Sequence, residues 1–158
     1  MKKRIGIAVL IAAAVLAILI LVYHGTREPA QANADEISLQ IQLNLKEDIG
    51  LLLIDSDIGG NVSSGGSSNA DKTMLKKDDQ IYWPIERQNY EDVPDTVELS
   101  LRFTVVTEYC EPNYDNIYPK EYQIPMDAIT FPAKFGASYS IRIAGDKTNG
   151  YRAVLEQG

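Results

Sequence analysis

From Ile37 to Leu45 the chain alternates without a break. Ile37, Leu39, Ile41, Leu43 and Leu45 are apolar, and Ser38, Gln40, Gln42 and Asn44 between them are polar. Side chains of a β-strand point to opposite faces in turn, so this pattern describes a strand with one face on a core and the other in water. The same period returns over Thr96 to Tyr109, the longest candidate strand. There Val97, Leu99, Leu101, Phe103 and Val105 oppose Glu98, Ser100, Arg102 and Thr104. A sheet that is apolar on one face needs a second layer to cover it, and two such strands in one chain point to two packed sheets.

Further strand candidates are Ile49 to Ile58, whose block Leu51-Leu52-Leu53-Ile54 suggests burial on both faces, and Gln80 to Glu86. Pro84 cannot donate to a ladder, which makes the latter an edge or an irregular strand. Gln123 to Phe131 gives one or two short strands interrupted by Pro125. Ser138 to Ala144 alternates through Tyr139, Ile141 and Ile143, and Tyr151 to Leu155 closes the set. Gly59 to Asp71 (GGNVSSGGSSNAD) reads as a loop. Glu111 to Pro119 reads as a second, polar loop, and Gly145 to Gly150 as a turn in which Asn149-Gly150 tolerates positive φ. No amphipathic helical pattern follows the first 34 residues. The expectation is an all-β antiparallel sandwich of about seven strands over residues 35–158.

The segment Gly136-Ala137-Ser138-Tyr139-Ser140-Ile141-Arg142-Ile143 resembles the penultimate strand of immunoglobulin-like domains. In such a strand a tyrosine near the start bonds back to the preceding loop, and Tyr139 stands at that place. The resemblance implies an Ig-like (fibronectin/immunoglobulin-type) sandwich. It does not extend to the paired cysteines of true immunoglobulin domains, because Cys110 is the only cysteine.

Residues 1–34 set the expected address. Lys2-Lys3-Arg4 precedes a run from Ile5 to Tyr23 of 19 residues without a charge. As a helix it would be about 28 Å long, close to the thickness of a bilayer core. The basic flank stays on the cytoplasmic side, so the rest of the chain is expected outside the cytoplasm, in a bacterial style of envelope protein. Two readings stay open. The length of the run favours an uncleaved signal-anchor that passes once through the lipid bilayer. The small-x-small triplets Ala30-Gln31-Ala32 and Ala32-Asn33-Ala34 allow a cleaved signal peptide and a secreted product.

From Asp35 onward there are 11 Lys and Arg against 21 Asp and Glu, a formal charge of −10. That field repels phosphate backbones and anionic lipid headgroups, which argues against nucleic acid as a partner. The only histidine is His24, in the leader, so residues 35–158 hold no imidazole for a triad, a Cys-His dyad or a His-based zinc site. A Ser-Lys dyad from Lys76 or Lys77 lacks anything to position it, and Lys76-Lys77-Asp78-Asp79 reads as a charged turn. Cys110 reads as a small buried hydrophobe, with pairing between chains as the alternative. The chain is read as a non-enzyme with no cofactor.

Two constellations remain. Asp55 and Asp57, followed by Gly60, match the first, third and sixth positions of a calcium loop. Gly59 and Gly66 fall where the fifth and twelfth ligands belong, so calcium is a weak reading. The stronger candidate is aromatic. Tyr109, Tyr114, Tyr118 and Tyr122 surround a loop that also carries Asn113, Asp115 and Asn116, and Trp83 with Tyr82 and Tyr90 forms a second aromatic group. Tyrosine and asparagine on a loop supply flat amphipathic area and adaptable hydrogen bonds. The bland reading is that these are strand tyrosines with buried rings and wet hydroxyls. The functional expectation is a binding or interaction module that contacts another envelope protein. The alternative is a carbohydrate or cell-wall binding module using Trp83 and the Tyr109–Tyr122 group.

Overall fold

The computed structural model describes residues 33–90, 92–109 and 118–156. The chain divides into two units, Met1–Gln31 and Ala32–Gly158. The leader, including residues 5–23 and the cleavage triplets up to Ala32, lies outside the described residues. No helix among the described residues is long and apolar enough to cross a membrane.

The second unit is all β. Its strands are β1 (Glu36–Leu45), β2 (Leu51–Ile58), β3 (Asn61–Ser67), β4 (Gln80–Glu86), β5 (Thr96–Val106), β6 (Gln123–Pro125), β7 (Ile129–Lys134), β8 (Ser138–Asp146) and β9 (Gly150–Glu156). The four-stranded sheet has the order β4-β1-β8-β9. The second sheet has the order β3-β2-β5-β6, with β7 also on β5. The helical residues among those described form two 3-10 turns, at Arg87–Asn89 and Lys120–Tyr122.

The alternation places the core. Ile37, Leu39, Ile41, Leu43 and Leu45 are buried on β1, as are Val97, Leu99, Leu101, Phe103 and Val105 on β5. Ile141 and Ile143 of β8 join them, and Phe103 is the bulkiest fully buried side chain. In the Leu51–Ile54 block, Leu51, Leu52 and Ile54 are buried, while Leu53 on the outward face is half-exposed. Three prolines fall on outer strands, where a missing donor costs no ladder bond: Pro84 on β4, Pro125 on β6 and Pro132 on β7.

Three expectations need correction. The segment Gly59 to Asp71 is not a single loop. Gly59 and Gly60, with φ of 62° and 89°, make a two-residue turn, and Asn61–Ser67 returns along β2 as β3. The strand count rises from about seven to nine among the described residues, because β3 is added and Gln123 to Phe131 resolves into β6 and β7. The sandwich is not wholly antiparallel, since β1 and β8 run parallel from Ser38↔Ser138 to Leu45↔Gly145. Alternation reports which face is buried and carries no information on the direction of the neighbouring strand.

The start of β8 is tied to the end of β7 through Tyr139. Its hydroxyl accepts a hydrogen bond from the Lys134 backbone N–H at 2.8 Å, and its ring packs on Phe131 at 5.2 Å between centroids.

Candidate functional site

The outward face of the five-stranded sheet carries a shallow groove of about 600 Å³. Pairing places its walls. Leu53 of β2 sits between Gly66 of β3 and Thr104 of β5, and Asp55 lies beside Ser64. Leu51, Ser68, Tyr118 and Gln123 complete the lining. The floor deepens because Gly66 has no side chain. A Cβ there would lie 3.1 Å from a Leu51 methyl and 3.2 Å from a Leu53 methyl.

The groove meets the base of the tyrosine loop. Gln123 Nε2 donates to the Tyr118 carbonyl at 2.7 Å, the Tyr122 N–H to Pro119 at 3.1 Å, and the Thr107 N–H to the Tyr122 carbonyl at 2.9 Å. Those bonds tie the return of the loop onto the end of β5. Tyr118 therefore lines the groove, and Tyr109 and Tyr122 stand half-buried where the loop leaves and rejoins the sheet. Asn113, Tyr114, Asp115, Asn116 and Cys110 lie outside the described residues.

Trp83 belongs elsewhere. It sits on β4 in the other sheet, half-buried against the core, with its benzo edge on Gly65 of β3. A Cβ at Gly65 would stand 2.6 Å from Trp83 Cη2. Tyr82, next to it, points to the opposite face of β4, where its hydroxyl donates to Glu36. That bond and one from Ser38 hold the Glu36 carboxyl below its usual range. Tyr90 is buried, with its hydroxyl 3.1 Å from Ser56 Oγ. The Trp83, Tyr82 and Tyr90 group thus divides over three environments.

Asp55 and Asp57 share the outward face of β2 and are half-exposed. An Asp57 oxygen accepts the Gly60 N–H at 2.8 Å, which secures the hairpin turn. Among the described residues no three His, Cys, Asp or Glu side chains cluster closely enough to hold a metal ion. Lys76 is ion-paired to Asp48 at 2.9 Å.

Two further clusters are structural ties. Near the start of β1, Arg87 stacks 4.2 Å over the Phe135 ring and binds Asp95 at 2.9 Å, with its Nε 3.6 Å from Asp35. At the other end of β1, Asp146 accepts from Thr148 and Asn149 backbone N–H groups and pairs with Lys46 at 2.8 Å. Lys46 and the Asn149 donors hold the Asp146 carboxyl far below its usual range. Tyr151 donates to Glu47 beside it, and burial together with that bond pushes its phenol upward.

No protein-family model matches the chain, and no curated protein matches it. Among solved structures, it is similar to a protein from Eubacterium rectale solved by NMR, at 11% identity and a TM-score of 0.42 over 82% of this chain and 96% of that one. A non-hemolytic pneumolysin from Streptococcus pneumoniae is similar at 11% identity and a TM-score of 0.37, over 78% of this chain and 24% of that one. The human-specific toxin intermedilysin follows at 8% and 0.32, over 77% of this chain and 24% of that one. Each of these TM-scores is below the level at which a shared fold is argued.

Proposed function

We propose that the chain is an extracytoplasmic binding module of a bacterial envelope, with an Ig-like sandwich held to the membrane by an N-terminal helix over residues 5–23 and acting by surface recognition without chemistry. The observation that carries the recognition part is the groove of about 600 Å³ with Leu51 and Leu53 in its floor and Tyr118 and Gln123 on its wall. A half-exposed Leu53 over a buried Leu51, with Ser64, Ser68, Thr104 and Gln123 around them and one carboxylate at Asp55, suits a protein segment, and Tyr118 adds contact area at low entropic cost. The partner class is another envelope protein. The export part rests on the basic head Lys2-Lys3-Arg4 and the uncharged run behind it. The Ig-like part rests on the two-layer sandwich and the Tyr139 to Lys134 bond.

The carbohydrate alternative relies on aromatic platforms. Trp83 lies against Gly65 and so offers less free ring than that reading needs.

The test is chemical crosslinking on intact cells followed by purification of the full chain in detergent. The wild type should carry a partner membrane protein that Leu53→Arg and Thr104→Arg lose while keeping the wild-type circular dichroism. Recovery of wild type and variants with the same set of neighbours, or with none, refutes the groove as the recognition surface. Intact mass of the native product decides between anchor and cleaved leader.

A further inference from the structure

We infer that β3 is an interface for a second copy of this chain, pairing antiparallel with its own equivalent about a two-fold axis through Ser64. Among the described strands, β3 is the outer one left without a guard. The other outer strands carry prolines or charges: Pro84 on β4, Pro125 on β6, Pro132 on β7, and Arg152 with Glu156 on β9. These are devices that keep strange strands off a sheet edge. β3, with the sequence NVSSGGS, has no proline and no charge, and Asn61 to Ser64 and Gly66 are exposed.

The register says which backbone groups are on offer. A two-residue turn closed by Ile58↔Asn61 makes that pair exchange both hydrogen bonds, and the exchange recurs at every second pair. Asn61, Ser63, Gly65 and Ser67 therefore turn their backbone polar groups toward β2. Val62, Ser64 and Gly66 turn theirs away from the sheet. An antiparallel copy with Ser64 opposite Ser64 puts Val62 opposite Gly66 at both ends. Every outward N–H and C=O of these three residues then meets a partner.

Side chains fit the same register. Val62 is 64% exposed, the most exposed large apolar side chain among the described residues. It shares the outward face with Gly66, and in the pair it would lie over the Gly66 of the other copy. The missing side chain there leaves room, and the neighbouring Leu51 and Leu53 methyls supply apolar contact. The acidic residues nearest this edge are Asp55 and Asp57 on β2. Two copies would keep their β2 strands three strand spacings apart, about 14 Å, beyond the ~8 Å screening length of physiological salt. A second copy is thus better matched than an arbitrary peptide, because the strand supplies both the bulky and the empty position in one self-complementary register.

The test uses the full chain in detergent, in a Cys110→Ser background, with Ser64→Cys at the proposed axis. Hydrogen-bonded antiparallel partners stand about 5.5 Å apart at Cα, within reach of a disulfide. Mild oxidation should give a covalent homodimer about tenfold faster than an Arg152→Cys control on the far edge. Adding Val62→Lys should return that rate to the control level while the circular dichroism stays that of the parent. Ser64→Pro, which removes an outward N–H and no bond to β2, should abolish the dimer in sedimentation. Equal rates for Ser64→Cys and the control, a dimer indifferent to Val62→Lys, or a disulfide to a different protein would each overturn the proposal. The dimer contact shares Leu53, Ser64 and Gly66 with the groove, so Thr104→Arg separates the two: on β5, two strands from β3, it should remove the groove's partner and leave the Ser64→Cys crosslinking rate unchanged.

Discussion

At the residue scale, the informative side chains do something other than their type suggests. Trp83, as the only tryptophan, could be a ligand platform. It is instead a plug that closes the sandwich at its β4 and β3 edges, and it needs Gly65 to lie down. Gly65→Ala should therefore push the indole outward and red-shift the tryptophan emission, at a stability cost of about 1–3 kcal/mol for overpacking. Denaturant titration followed by fluorescence measures both, and an unchanged spectrum would refute the plug. Asp146 gives a pH prediction. Its folded carboxyl titrates well below its ordinary range because Lys46 and the Asn149 donors hold the charge. A depressed folded pKa contributes stability that is complete above the unfolded value, near ~3.9, and is lost as pH falls below it. The melting temperature should thus drop as pH falls from about 5 to about 2, and Asp146→Asn should flatten that slope. Calorimetry across that range checks it. Tyr139→Phe should cost about 1 kcal/mol, the net worth of one hydrogen bond, because it removes the acceptor of the Lys134 N–H.

At the scale of elements, β1 and β5 were legible because burial on one face writes itself into a period of two. Pro84 likewise marked β4 as an outer strand. β3 was not legible. Apart from Val62 its residues are small or polar on both faces, and it is a strand because the Gly59-Gly60 turn folds it back onto β2, a cause that alternation does not record. The parallel β1–β8 pair escaped for a related reason, since partners about 100 residues apart share only a register. The groove was half legible. Tyr118 and Tyr122 stood out as loop aromatics. Leu53, Gly66 and Thr104 became neighbours only through the pairing of three strands, and singly each is an ordinary strand residue. Phe103, by contrast, was legible as core from β5 alone. Phe103→Ala should cost about 3–5 kcal/mol by leaving a cavity between the sheets, read as a lowered urea midpoint at constant m-value.

At the scale of the whole molecule, the place of β1 governs how the domain can form. β1 lies inside its sheet, between β4 and β8. Its parallel partner runs from Ser138 to Asp146, close to the end of the chain. No N-terminal piece that stops before β8 can satisfy the second edge of β1, whose Ile37, Leu39, Ile41, Leu43 and Leu45 are all buried in the core. The pairing also closes a long loop before it returns any contact, which places folding in the slow range of sandwiches, roughly milliseconds to seconds. On the export route proposed above, this order would keep β1 unpaired on one side until β8 has emerged. Truncation after Lys134 should therefore abolish cooperative unfolding altogether rather than lower its midpoint. Truncation after Gln123, which also removes β7 and most of β6, should look the same by circular dichroism and thermal melting. A shortened chain that still melts sharply would mean that β1 finds its second neighbour elsewhere, and that the parallel ladder is not what completes the fold.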